Sequence, residues 1–196
     1  MNNILKVLLI IIIGYIALKI YEESDVFQLK CVISEVNGKT YCVRDRQQVN
    51  KAANLLAQTS TKCSQLVSKM KNKYQEHPIT KRLTENFNPK KMQETLPTSM
   101  HTAYSENKGE KLAFCLNKFK NGTQLIDENT LMFVALHELS HIATEEIGHT
   151  PQYWRNFKFL LQKADEFGLY QPVDYKNSPK QYCGMKITDN PYFDLK

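Results

Sequence analysis

The stretch HELSHIATEEIGHTPQYW, residues 137–154, holds three histidines and a glutamate at spacings that suit a metal centre. His137 and His141 are four apart on an expected helix. They share a face, one turn apart, with about 6 Å between their Cβ atoms. Two imidazoles placed this way hold one zinc ion. Glu138 points roughly a third of a turn aside, so it reaches water at the metal rather than the metal itself. Zinc draws the pKa of such a water toward about 7, and the glutamate accepts the proton. A catalytic zinc needs a third protein ligand and one open position. Glu145 continues the histidine stripe, but positions i, i+4 and i+8 span about 12 Å, too far for bonds near 2 Å. The third ligand must come from chain that turns back. Gly148 permits the turn and His149 follows it, so His149 is the expected ligand. Asp165 and Glu166, further on, are the runners-up, while His77 and His101 have no such spacing. The competing reading is a helix with solvent-facing histidines; another is a decayed site that keeps its fold.

The elements that position these residues follow from periodicity and caps. Asp127 or Asn129 opens a helix through Leu131, Val134, Ala135, Leu136, Leu139, Ile142 and Ala143, and Gly148 breaks it. Thr150 caps the next helix and Pro151 suits its first position. Trp154, Phe157, Leu160, Leu161, Ala164 and Phe167 form its apolar stripe, and Gly168 ends it. KLAFCL, residues 111–116, reads as a strand. Further upstream, Asp45 is expected to cap a helix that runs to Tyr74, about 45 Å long. A short helix is expected over residues 79–87 and a loop over 89–100. The tail, 171–196, carries Pro172, Pro179 and Pro191 and should wrap the domain in extended or coiled form.

Residues 29–36 and 39–44 read as two strands joined by Asn37-Gly38. A two-residue loop there sets Ile33 opposite Cys42 and Cys31 opposite Arg44. Cys31 and Cys42 are then diagonal, and a disulfide between them needs a twist or a shifted register. Cys63 and Cys115 fall on apolar stripes and read as buried thiols. No CxxC pair exists among the five cysteines, which argues against a cysteine zinc site.

The chain has 196 residues, of which 42% are hydrophobic. Residues 4–20 form a 17-residue apolar run, uncharged from residue 7 to 18, with Lys6 and Lys19 able to snorkel. An uncleaved membrane anchor over residues 1–24 is favoured over a cleaved signal. Only Lys6 precedes the run, and Tyr21-Glu22-Glu23-Ser24-Asp25 offers no small-x-small site. A buried core helix would not show four consecutive isoleucines without a polar face. The positive-inside rule barely discriminates an orientation. Asn121-Gly122-Thr123 is a glycosylation sequon. Net charge is +6, and residues 44–91 hold eleven Lys/Arg against Asp45, Glu76 and Glu85. Such a stretch can meet nucleic acid or an anionic membrane, but it lacks interleaved aromatics and reads better as a solvated helix face.

His137-Glu138-Leu139-Ser140-His141, followed by Gly148-His149-Thr150-Pro151-Gln152-Tyr153-Trp154, resembles the WLM and SprT-like zinc peptidases. The resemblance covers residues 98–167. It implies Zn2+ on His137, His141 and His149, and Glu138 as general base. It also implies an α+β, minimal zincin-like fold with the active-site helix packed on a small sheet. KLAFCL would be the edge strand along which a protein or peptide substrate adds. Gln181-Tyr182-Cys183-Gly184-Met185 is similar to tails of WLM-like proteins encoded by large DNA viruses. Cellular members often act on DNA–protein crosslinks; this chain has an anchor and no evident DNA-binding appendage. The step from His141 to His149 is longer than the metzincin one. Tyr104, Tyr153, Tyr175 and Tyr182 are candidates to stabilise an oxyanion, although Tyr153 and Trp154 read better as packing. The expectation is a single-pass, membrane-anchored zinc metallopeptidase of a host or virion membrane, with residues 25–196 as its domain. The alternatives are a non-catalytic membrane or virion binding protein with a retained fold, and a nucleic-acid-associated protease.

Overall fold

The computed structural model describes residues 3–194. Helix α1 (Asn3–Glu23) leads the chain with its apolar side chains exposed along its whole length. Its 21 residues extend about 31 Å, close to the thickness of a bilayer's hydrocarbon layer. By length and composition it is able to cross a membrane, and a signal sequence has the same properties.

A short helix α2 (Asp25–Gln28) leads into the antiparallel hairpin β1 (Leu29–Ile33) and β2 (Thr40–Arg44). The register differs from the sequence expectation. Cys31 lies directly opposite Cys42, and the two form a disulfide. The loop is longer than Asn37-Gly38, because the residues before it are engaged elsewhere. Ser34 and the Glu35 amide both donate to Asn54 Oδ1, at 2.7 and 3.1 Å, and Asn37 donates to Tyr41 and Thr61. Those bonds tie the loop to α3 (Val49–Lys73) and move the pairing by the two residues that align the cysteines. Asp45 does not cap α3; Gln48 occupies the cap position with no side-chain bond. Ala52, Ala53, Leu56, Ser60, Cys63 and Met70 are buried along α3, at the expected period.

Helix α4 (Pro78–Asn86) is capped by the His77 ring, which accepts from the Ile79 amide. The expected 89–100 loop contains a short strand, β3 (Met92–Glu94). With β4 (Ala103–Glu106) and β5 (Lys111–Phe114) it forms a three-stranded sheet in the order β3-β5-β4, parallel and then antiparallel. The KLAFCL strand is therefore the centre of the sheet. Its Leu112, Ala113 and Phe114 are fully buried, as a central strand requires. The edge role falls to β4.

Helix α5 (Glu128–Ala143) runs through the middle of the domain against α3, α4, α6 and the sheet. From Thr130 to Ala143 its side chains are buried except at His137 and His141, which stand on its one open stripe. Asp127 caps it by accepting from the Thr130 amide. Helix α6 (Pro151–Glu166) starts as expected, with Thr150 accepting from the Tyr153 amide. The tail wraps the domain, but it is more ordered than coil. It carries the hairpin β6 (Lys180–Tyr182) and β7 (Met185–Ile187) and a 3-10 turn, Pro191–Phe193. Cys115 is no free thiol: it is bonded to Cys183, 68 residues away, and fastens the tail beside the sheet. Cys63 is the free, buried cysteine.

Candidate metal centre

The three histidines meet. His137 Nε2 lies 3.3 Å from His141 Nε2 and 3.2 Å from His149 Nε2. A tetrahedral cation bonded to imidazole at about 2.0–2.1 Å sets neighbouring nitrogens about 3.3–3.4 Å apart. Two of the three nitrogen pairs therefore have the spacing of a zinc tripod, and all three donors lie within 4.8 Å of one another. Hydrogen bonding alone accounts for it poorly, since one ring nitrogen would serve two others at once. Burial, reinforced by the neighbouring His141 and His149, pushes His137 down to about 3. Burial, with His149 and Lys108, pushes His141 down to about 4. Both rings are therefore neutral near neutral pH, the form in which imidazole can ligate a metal.

Glu138, the next residue along α5, is buried and lines the cavities beside the cluster. Among the described residues no cation or donor bonds its carboxylate, and burial alone pushes it up to about 8. Ser140 and Thr144 turn their hydroxyls back onto the carbonyls of Leu136 and Ser140, which satisfies them within α5.

The chain turns back through residues 144–149. Gly148 takes a φ of 89°, a left-handed conformation that costs glycine little. Lys108, from the turn between β4 and β5, donates its ammonium to the carbonyls of Thr144, Glu145 and Glu146 at 2.8–3.0 Å. Asn156 of α6 holds Thr144 Oγ1 at 2.9 Å. Lys108 thus fixes the turn that delivers His149. Nothing in the sequence signals this, because the partners are backbone atoms 36 or more residues away.

Tyr153 forms the floor of the cluster. It is fully buried, its ring lies 4.4 Å from that of His141, and its hydroxyl donates to the His137 carbonyl at 3.4 Å. Tyr175 is buried against Phe133. Tyr182 donates to the Thr102 carbonyl at 2.9 Å and lines a cavity beside the cluster. Tyr104 lines a second cleft on the other side. The runner-up ligands are elsewhere: Asp165 accepts from Tyr192, and Glu166 pairs with Lys73 and Lys163. Glu145 lies beyond the end of α5 and is exposed. His77 caps α4, and His101 packs against Tyr104.

Two cavities, about 670 and 480 Å³, flank the cluster and share Ala103, His137, Glu138 and His149 as lining. Together they make one groove with the histidines at its middle. Edge strand β4 runs along it. Cys115 donates to the Thr102 carbonyl across the β4–β5 ladder, so the alternation turns the backbone groups of Ala103 and Ser105 to the free edge.

No family model matches the chain, and no solved structure matches it. It is similar to an uncharacterized protein of Acanthamoeba polyphaga mimivirus, 28% identical over 193 residues, which span 96% of this chain and 95% of that one. An uncharacterized protein of Invertebrate iridescent virus 6 is 37% identical over 75 residues, 38% of this chain and 41% of the relative. One of Invertebrate iridescent virus 3 is 36% identical over 83 residues, 42% of this chain and 50% of the relative. These relatives are encoded by large DNA viruses, which is consistent with a viral origin for this chain.

Proposed function

We propose that this chain is a membrane-anchored, zinc-dependent metallopeptidase of the WLM and SprT-like kind, with a zincin-like domain. The observation that carries the reading is the convergence of His137, His141 and His149 on nitrogen separations of 3.2 and 3.3 Å, beside a buried carboxylate with no bonded partner among the described residues. Zinc, when bound, polarises a carbonyl oxygen and acidifies water. Glu138 is the group placed to take the proton and return it to the leaving amine. Its burial makes it a stronger base than an exposed carboxylate once it ionises. An extended peptide pairs with the free edge of β4 through Ala103 and Ser105, which supersedes the KLAFCL strand in that role. Tyr182 and Tyr104 stand on opposite sides of the cluster as the candidates for steadying the carbonyl oxygen.

Two disulfides support a domain exposed to an oxidising compartment, on the far side of the membrane that α1 would cross. Among the described residues, five of the eleven basic ones at 44–91 form ion pairs within the domain. Arg44 and Arg46 pair with buried Glu94, and Lys62, Lys73 and Lys81 pair with Glu128, Glu166 and Glu76. Those pairings favour a structural role over a nucleic-acid surface: Arg44 and Arg46 are turned inward, and the three lysines lie on a solvated face.

The test is metal analysis and a peptide-library digest of the full chain in detergent. One zinc per chain and cleavage are expected. Glu138→Gln should keep the zinc and lose hydrolysis by a factor of about 1,000 or more. A wild-type chain without stoichiometric zinc would end this reading.

A further inference from the structure

The larger of the two cavities is built by two parts of the chain. Phe133 of α5 and Phe157 and Trp154 of α6 make one wall; Met185 and Ile187 of the tail make the other. We propose that the tail hairpin is the specificity element of this site and that the cavity takes a large apolar side chain, of leucine or phenylalanine size, from an extended peptide. The inference rests on the peptidase reading and names the substrate class for it.

Four observations carry it. The cavity is continuous with the metal cluster, sharing His137, Glu138 and His149 with it, so its occupant lies next to the reacting bond. Its wall holds large apolar side chains left half in water: Trp154 is 45% exposed and Met185 51%. Such groups gain from being covered, and covering them with a phenylalanine side chain contributes enough to favour it over glycine about 10- to 100-fold. The carboxylates on the rim, Asp189 and Asp194, share Lys176, at 3.1 and 3.7 Å, and Lys186 lines the same cavity, so two acids are matched by two lysines and little net charge is offered to a basic side chain. Finally, the wall is preset. The Cys115–Cys183 disulfide, the Cys183 and Gly184 amides on the Asn117 and Lys118 carbonyls, and Tyr182 on Thr102 fix the hairpin to the sheet. A wall fixed before binding selects by shape at low ordering cost.

Trp154 is the chain's one tryptophan, so its fluorescence reports occupancy. The experiment titrates zinc-loaded, full-length Glu138→Gln in detergent with blocked hexapeptides identical but for one central residue: Phe, Leu, Gly, Asp or Lys. The Phe and Leu peptides should bind at least about 10-fold tighter than the other three. Met185→Glu should abolish that difference with zinc content unchanged, and Met185→Leu should restore it. Equal binding of all five, no fluorescence response to any, or a preference untouched by Met185→Glu would overturn the proposal. A parallel digest with the wild type separates the two readings. Selective binding without any cleavage keeps the pocket and removes the peptidase; cleavage indifferent to the central residue does the reverse.

Discussion

At the scale of single residues, the cluster is held in a protonation state that suits a metal and opposes protons. His137 at about 3 and His141 at about 4 lie below the value near 6.5 of an unfolded histidine. In the metal-free protein, acidification from pH 7 toward 5 therefore protonates the unfolded chain first. The stability contributed by these rings is present above about 6.5 and is lost as pH falls toward 3–4. Glu138, at about 8 against 4.5, has the opposite sign: its contribution is complete below about 4.5 and is lost as pH rises through 8. Between pH 7 and 5 the two histidines together outweigh the glutamate. Calorimetry of the chelator-treated chain should show Tm falling over that interval. His137→Gln with His141→Gln should reverse the slope, since Glu138 alone remains, and an unchanged slope would refute the assignment. The proposed ligands His137 and His141 are legible in the sequence because their spacing along one helix is itself the geometry, and His149 because the Gly148 turn precedes it. Lys108 is not, because it acts on carbonyls that every residue carries. Lys108→Met should release the Thr144–Glu146 turn and weaken zinc binding about 10- to 100-fold, read by chelator competition, with the fold intact by circular dichroism.

At the scale of elements, the helices follow the sequence closely, and the strands at 29–33, 40–44 and 111–114 lie where it places them but with a register and neighbours it does not give. Caps such as Asp127 and Thr150 act within three residues, so α5 and α6 begin where the sequence places them. Strand identity depends on partners that are distant in the chain. KLAFCL has the composition of a strand, but only the arrival of β3 on its far side makes it central. The Cys31–Cys42 register was likewise decided outside the hairpin, by Asn54 and Thr61 on α3. The turn between β4 and β5 sets the clearest test of an element. Gly109 has a φ of 120°, and a Cβ there would stand 2.5 Å from the Asn86 carbonyl oxygen and 3.0 Å from Ile142 Cδ1. Backbone and core would both have to move. Gly109→Ala should cost about 2 kcal/mol or more in urea unfolding. Gly148→Ala, in open space at φ 89°, carries backbone strain alone and should cost about 1–2 kcal/mol.

At the scale of the molecule, long-range covalent and ionic ties hold the groove's two walls to one body. Cys115–Cys183 is one. The other is Glu94, fully buried on β3, which accepts from the Arg44 amide at 2.8 Å and pairs with the Arg44 and Arg46 side chains. Arg44 also reaches the Thr95, Leu96 and Lys120 carbonyls, and Arg46 the Asn117 side chain. The network joins the β1–β2 hairpin, the sheet and the loop at 117–120, whose Asn117 and Lys118 carbonyls accept from the Cys183 and Gly184 amides. In the sequence, Arg44 and Arg46 are only the start of a basic run, and Glu94 is one acid in a loop-like span. Their meaning appears when the fold brings them together, 50 residues apart. A buried carboxylate facing two guanidinium groups is held by partners on both sides, and removing it leaves two cations without their counterion in a dry site. Glu94→Ala should therefore cost about 3–5 kcal/mol, far more than the loss of an exposed pair such as Lys81–Glu76, which should cost at most about 1 kcal/mol. Urea unfolding of the two variants side by side checks this. If the network also carries the groove, Glu94→Ala at permissive temperature should retain zinc through α5 and α6 while losing the preference among the five hexapeptides, because the tail wall is then no longer held to the sheet.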